Sequence, residues 1–357
     1  MTTSTAAPSS HGTPGTGAGL RALPAPERLE ALQALRAFAA LSVLLFHGTH
    51  ILADRLAYAF PGDFFGPGDC GVDVFFVLSG FIIHHTATRN RGARDFLAKR
   101  LIRIYPIYAV VTLLLVAAYF AAPSARMSHK GEFEVVLRSF LLWPAPRHVV
   151  GVAWTLIYEL WFYLLFGALF FRSSRLFFVA LAAWTALACA KVAAGWAPAS
   201  YSLAFALNPI VGEFLLGCLA SLAFSGGRTR HAGGVLALGL VGFALGWWEA
   251  LDGVRELPRE LAFGIPSTLV VYAAAHLREV RSRLLIFLGD ASYSTYLVHG
   301  SVVSILVKGL RAAGVERLPG GWVGALAVLA AALAVCCAFY RWVERPLLQA
   351  CRRRFLG

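Results

Sequence analysis

Ten apolar runs follow one another along the chain, at roughly 33–50, 71–88, 102–122, 149–171, 175–194, 203–224, 234–249, 260–276, 288–309 and 322–344. Each is close to the ~20 residues that carry an α-helix across a bilayer core. Average globular chains hold about a quarter charged residues, whereas this one holds 14% against 58% hydrophobic residues. Only lipid keeps that much apolar surface out of water. The lipid bilayer is therefore the expected solvent, and the expected fold class is all-α, a polytopic membrane bundle of about ten transmembrane helices. A shorter amphipathic stretch, Glu132 to Trp143, ends at Pro144 and Pro146 and is expected to lie along the membrane interface.

A formal net charge of +13 in a soluble protein would point to nucleic acid. Here no basic stripe interleaved with aromatics occurs on a polar domain, so nucleic acid is excluded as a partner. The basic residues gather in alternate connections: Arg21 and Arg28; Arg89, Arg91, Arg94, Lys99, Arg100 and Arg103; Arg172 and Arg175; Arg228 and Arg230; Arg278, Arg281 and Arg283; Arg341, Arg345 and Arg352 to Arg354. The other connections carry Asp54, Asp63, Asp69, Glu132, Glu134, Glu249, Asp252, Glu256 and Glu260. Under the positive-inside rule this segregation puts both termini in the cytoplasm.

Residues 1–28 are rich in Ser, Thr, Pro, Gly and Ala and cannot bury enough surface to fold, so they are expected to be a disordered cytoplasmic tail. They lack the basic start and apolar core of a secretory signal. One transmembrane domain is expected over 29–348, and a basic cytoplasmic tail over 349–357. The six cysteines, Cys70, Cys189, Cys218, Cys336, Cys337 and Cys351, show no zinc or disulfide spacing and read as small interior residues. No metal-ligand cluster is evident, and nothing in the sequence speaks to oligomeric state.

Ionisable residues inside spans are costly and tend to mark function. Arg36 and His47 share the first span, and eleven residues bring them back to within about 20° of one face with a rise of roughly 16 Å. Counting from the ends of the runs puts Glu159 of the fourth span and His299 of the ninth at the depth of His47, as if around one pocket. Arg100 and Arg103 lie one turn apart where the third span begins, a spacing suited either to bidentate phosphate binding or to membrane orientation. Asp73, at the start of the second span, either caps that helix or orients a histidine.

Several stretches together resemble acyltransferase family 3, membrane proteins that O-acylate extracytoplasmic carbohydrates. They are Leu32-Gln33-Ala34-Leu35-Arg36 through Phe46-His47, the run from Gly71 to Phe81, Arg100 to Arg103 followed by Tyr105-Pro106, the run from Trp154 to Tyr163, Leu288-Gly289-Asp290-Ala291-Ser292-Tyr293 through His299, and Glu344-Arg345-Pro346. They occur in family order, and the opening and the Trp154–Glu159 stretch look most like the exopolysaccharide-production branch. The chain departs from the common pattern at Gln33, Ala34, Ala37, Leu160 and Trp161, while the arginine, histidine and glutamate stand.

The resemblance implies a multi-pass acyltransferase of the bacterial inner membrane that takes an acyl group, by default acetyl, from cytoplasmic acyl-CoA. The acceptor it implies is a carbohydrate hydroxyl. Arg100 and Arg103, with Arg36, would hold the phosphates of coenzyme A, and His47 would be the general base. Glu159 would orient and stabilise the imidazole, as carboxylates do in triads, or else bind the sugar. Tyr158, Ser292, Tyr293 and His299 are supporting candidates, and neither a direct transfer nor an acyl-enzyme route is excluded. Without the resemblance, Arg36, His47 and Glu159 serve equally well as the binding site or relay of a transporter for an anionic substrate.

Overall fold

The computed structural model describes residue 1 and residues 29–356, apart from 59, 61, 62, 122–130, 225–228, 252–256 and 278–279. The tail expected over 1–28 thus lies, from residue 2 onward, outside the described residues. Among the described residues all regular structure is helical, as lipid requires of a chain that must satisfy its backbone polar groups within each span. Nine helical segments are long and apolar enough to cross a membrane: Glu30–Leu56, Gly66–His85, Ala93–Ala121, Ala153–Phe170, Ser174–Ala193, Tyr201–Ala223, Ala232–Leu251, Glu260–Leu277 and Gly321–Phe355.

The remaining expected span, 288–309, is divided between α11 (Arg283–Asp290) and α12 (Ser292–Ala312). With 21 residues α12 has the length to cross, but it carries Ser292, Ser294, Thr295 and His299, all buried among its neighbours. Helices that face other helices instead of lipid have no need to be apolar, so α12 falls short of the hydropathy of the nine.

The first helix, α1 (Glu30–Leu56), packs against α11, α12 and α2 (Gly71–His85). A Cβ on Gly289 of α11 would collide with the carbonyl oxygen of Gln33, so α11 seats directly on the start of α1. Two contacts fix the pairing of α1 with α12: Arg36 bonds Ser292, and His47 bonds His299. Residue numbers rise together along both helices, so α1 and α12 run parallel.

The chain returns from α1 through a 3-10 turn, Gly66–Cys70, that descends beside it. Ser42 Oγ donates to the carbonyl of Gly68 at 2.8 Å, and a Cβ on Gly71 would collide with the backbone of Ala39. Helix α2 therefore begins beside the first half of α1 and inside the bundle, so Asp73 is fully buried instead of lying at a membrane surface.

Helix α2 then packs backbone to backbone on α8 (Gly212–Ala223). A Cβ at Gly80 would collide with Phe214 O, and one at Gly217 with Val77 O, the small-residue contact that lets membrane helices approach closely. Behind it Phe214 stacks on Phe76 at 4.7 Å and on Phe162 at 4.6 Å. The large exposed apolar side chains, such as Leu113, Leu187, Leu245 and Ile305, lie on the outside of the bundle and face lipid.

The stretch expected at the interface contains α4 (Phe133–Phe140), tied to α3 (Ala93–Ala121) by the hydroxyls of Tyr105 and Tyr108, which donate to Phe140 O at 3.0 Å and Ser139 O at 2.8 Å. At the other end of the chain α13 (Gly321–Phe339) passes through a π turn, Tyr340–Glu344, into α14 (Arg345–Phe355). The basic tail expected over 349–357 is thus helical as far as Phe355, and Pro346 fits because it occupies the first turn of α14.

Gly217→Val is expected to destabilise the bundle by about 1–3 kcal/mol through overpacking. Gly300→Ala, whose Cβ would enter open space, should leave the melting temperature in detergent within error of the parent. Thermal unfolding followed by tryptophan fluorescence measures both.

Candidate active site

Three arginines converge on one cavity of roughly 100 Å³ enclosed by α1, α2, α3, α5 (Ala153–Leu165) and α12. Arg36 comes from α1, and Arg100 and Arg103, one turn apart, come from α3. Ser79 of α2, Thr155, Glu159 and Tyr163 of α5, and Ser292, Tyr293 and Tyr296 of α12 complete the polar lining. The expected side-by-side placement of Arg100 and Arg103 arises because positions three apart share a helix face. Pro106, which follows them, removes one backbone donor from the ladder of α3.

Each arginine is held differently. Nε and Nη2 of Arg36 donate to Ser292 Oγ at 3.2 and 3.0 Å. Arg103 lies 3.5 Å from the fully buried carboxylate of Glu344 and 5.9 Å from the centre of the Tyr293 ring. Arg100 stands over the rings of Phe96 and Tyr163 and donates from Nη2 to Thr86 Oγ1 at 3.4 Å. Its Nε is buried and finds no partner among the described residues.

Glu159 is the one carboxylate among the lining residues, and it accepts from Ser79 Oγ at 3.1 Å and from the Tyr163 hydroxyl. Glu344 backs the cavity, fixed by the backbone N–H of Ser294 at 3.1 Å and its hydroxyl at 2.5 Å. Three guanidinium groups against these two carboxylates leave net positive charge in a low-dielectric interior, where charges need partners.

The histidines form a separate pair. His47 Nδ1 lies 3.1 Å from His299 Nε2, with ring centres 5.0 Å apart. His47 does not line the cavity. Tyr296 stands between, its ring on the cavity wall and 6.2 Å from that of His299, its hydroxyl 2.8 Å from Thr155 Oγ1. Of the three groups expected at one depth, the structure brings His47 and His299 together and seats Glu159 with the arginines. No hydrogen bond joins Glu159 to His47 among the described residues.

Asp73 serves neither of its expected roles of cap or histidine partner. Its two oxygens take Nε and Nη2 of Arg259 at 3.0 and 2.6 Å, and Arg259 also binds the side chain and carbonyl of Asp69. Tyr158 lies outside the cavity, with its hydroxyl donating to Phe205 O at 2.7 Å and its ring stacked on Phe205. The sequence reading missed Glu344, Ser79, Tyr163, Thr155, Tyr296 and Arg259 as site residues. Tyr163 sits one turn beyond Glu159, a pairing the i,i+4 rule could have found. Arg259 pairs across 186 residues, for which no local signal exists. Among the described residues no group of His, Cys, Asp and Glu comes together as a metal site.

Comparison with known proteins meets this geometry from another direction. The profile of acyltransferase family 3, described as an acyltransferase domain, matches residues 29–341. The chain belongs to acyltransferase family 3. It is a multi-pass integral membrane protein of that family, and its arginine cavity and histidine pair both fall within the matched residues. The exopolysaccharide production protein ExoZ of Rhizobium meliloti is 34% identical over 82% of this chain and 93% of its own length. The acyltransferase MdmB of Streptomyces mycarofaciens is 28% identical over 92% and 93% respectively. Nodulation protein 10 of Rhizobium leguminosarum is 25% identical over 76% of this chain. No solved structure matches the chain.

Removing one partner of a buried ion pair costs about 3–5 kcal/mol, so Asp73→Ala is expected to lower the melting temperature of this acyltransferase strongly. Arg259→Gln is expected to cost at least as much, because it takes a cationic partner from Asp69 as well as from Asp73. Differential scanning fluorimetry in detergent tests the order.

Proposed function

We propose that this acyltransferase moves an acyl group, acetyl by default, from cytoplasmic acyl-CoA to a hydroxyl of a carbohydrate outside the cytoplasm, such as an exopolysaccharide unit or a lipid-linked glycan. The observation that carries the reading is the convergence of Arg36, Arg100 and Arg103 on one cavity, with Arg100 Nε unpaired. Guanidinium groups bind phosphate oxygens through short, charge-assisted bonds. The names of the relatives, exopolysaccharide production and acyltransferase, support the acceptor class and the reaction. The segregation of basic residues supports cytoplasmic termini in a bacterial inner membrane.

The dimensions favour a thioester donor. At a rise of 1.5 Å per residue, Arg36 and His47 are separated by roughly 16 Å along α1, a span of the order of an extended phosphopantetheine arm. A cavity of roughly 100 Å³ is several times what one water needs, room enough for a phosphate or a length of pantetheine. Phosphates would sit at the arginines and the acyl group would travel past Tyr296 toward His47.

At the far end His47 accepts the proton of the acceptor hydroxyl as its oxygen attacks the thioester carbonyl. The C–S bond breaks, and the coenzyme A thiolate takes the proton from the imidazolium. Glu159, hydrogen-bonded to Tyr163 and Ser79, balances the arginines and keeps the cavity from binding the donor too tightly to release coenzyme A. Glu159 makes no hydrogen bond to His47 among the described residues, so the ring beside His47, His299, is its nearest orienting partner.

In nanodiscs supplied with acetyl-CoA and oligosaccharide of the host's surface polysaccharide, His47→Ala is expected to lower turnover by about 10²–10⁴-fold, the usual contribution of a general base. Turnover near the parent's in a folded His47→Ala protein removes the assignment. Arg100→Gln is expected to raise the Michaelis constant for acetyl-CoA about tenfold, the equivalent of roughly 1.4 kcal/mol, with a smaller change in kcat. Release of thiol and mass of the oligosaccharide give both constants and the product.

A further inference from the structure

The hydrogen-bond accounting around the two imidazoles fixes where their protons are. His299 Nδ1 lies 3.0 Å from Thr295 O and 2.7 Å from Tyr296 O. Carbonyl oxygens only accept, so this nitrogen carries the hydrogen, and in the neutral ring Nε2 then holds the lone pair. That Nε2 faces His47 Nδ1 at 3.1 Å. His47 Nδ1 also lies 3.1 Å from Val43 O, another acceptor. Both neighbours of His47 Nδ1 thus accept, and Nδ1 must be the protonated nitrogen.

We propose that His299 is the positioning residue of the transfer: it accepts the Nδ1–H of His47, holds that ring in one tautomer and leaves His47 Nε2 as the nitrogen with the free lone pair. The inference rests on the reading of His47 as general base and adds the group that makes it one. A carboxylate fills this place in the familiar triad. Here the expected carboxylate, Glu159, is bonded elsewhere, and the orienting group is a second neutral ring.

His299 is suited to the task by its own anchoring. It is 1% exposed, and both carbonyls that hold its Nδ1 belong to the preceding turn of α12, so the ring cannot turn without breaking bonds to its own helix. When His47 Nε2 takes the acceptor's proton, the imidazolium donates its Nδ1–H to a lone pair already aligned with it. No proton needs to pass to His299, and His47 returns its proton to the coenzyme A thiolate from the same Nε2.

The test compares His299→Leu, which keeps volume and removes the acceptor, with His299→Gln, whose Oε1 can take the place of Nε2. Acetyl-CoA and host oligosaccharide serve as probes, with protein in nanodiscs and melting temperature as the check on folding. His299→Leu is expected to lower kcat about 100-fold, within the range of general-base effects, with the Michaelis constant for acetyl-CoA within about twofold of the parent. His299→Gln is expected to restore kcat to within roughly tenfold of the parent. An unchanged kcat in folded His299→Leu overturns the proposal, as do equal losses in Leu and Gln variants.

Nitrogen-15 NMR of histidine-labelled parent protein supplies a measurement that needs no variant to fold. Neutral His47 protonated on Nδ1 supports the proposal, and neutral His47 protonated on Nε2 overturns it. An active His47→Ala protein would remove the base reading itself, whereas inactive His47→Ala beside fully active His299→Leu removes only the role of His299.

Discussion

A guanidinium group at the depth of Arg36 survives only if the helices around it supply what water would have supplied. Ser292 takes two of its N–H groups, Glu159 lines the same cavity, and Glu344 stands behind Arg103. These partners come from α12, α5 and the π turn before α14, so one charged cavity binds elements from both halves of the chain to α1 and α3. Separating any of them would strand a charge in a medium that cannot solvate it, a cost of several kcal/mol per ion. The cavity is in this sense a structural core made of polar groups, in which Arg100 Nε finds no partner among the described residues.

The same pairing of α1 with α12 gives the site its axis. Arg36 meets Ser292 and His47 meets His299, so two parallel helices are joined at two points. Parallel neighbours keep the spacing between an anion-binding end and a basic end constant, because neither helix can slide without breaking both links. Close approach of Gly289 in α11 to Gln33 holds the segment that leads into α12 against the start of α1.

The spans were legible because length and apolarity are local properties, and nine of the ten runs appear as helices of the expected kind. The tenth, α12, is less apolar because its polar side chains face other helices, and the sequence had already marked it as a site of functional residues by those same side chains. Same-face relations within one helix, Arg36 with His47 and Arg100 with Arg103, could also be read. Relations between helices could be read only in part. The shared depth of His47 and His299 anticipated that they meet, across 252 residues, whereas nothing local marked the partnership of Arg103 with Glu344 across 241. Depth counted from the edge of an apolar run assumes upright helices with level ends, and tilt breaks that assumption. Here α2 starts beside Ala39, well inside the bundle, and Glu159 sits beside Ser79 of that helix instead of beside His47.

Tyr296 connects the two halves of the site in a way that constrains how they communicate. Its side chain closes the arginine cavity by bonding Thr155 across to α5, while its backbone carbonyl holds Nδ1 of His299. A rotation of the Tyr296 side chain would break the first bond and leave the second in place, because rotamer changes do not move the backbone. The passage toward His47 can therefore open with the ring pair undisturbed. The reverse does not hold: unwinding the first turns of α12 would open the cavity and release His299 together. In the proposed transfer, an acyl chain threaded past Tyr296 would need one side chain to swing, and the His47–His299 geometry would survive its arrival.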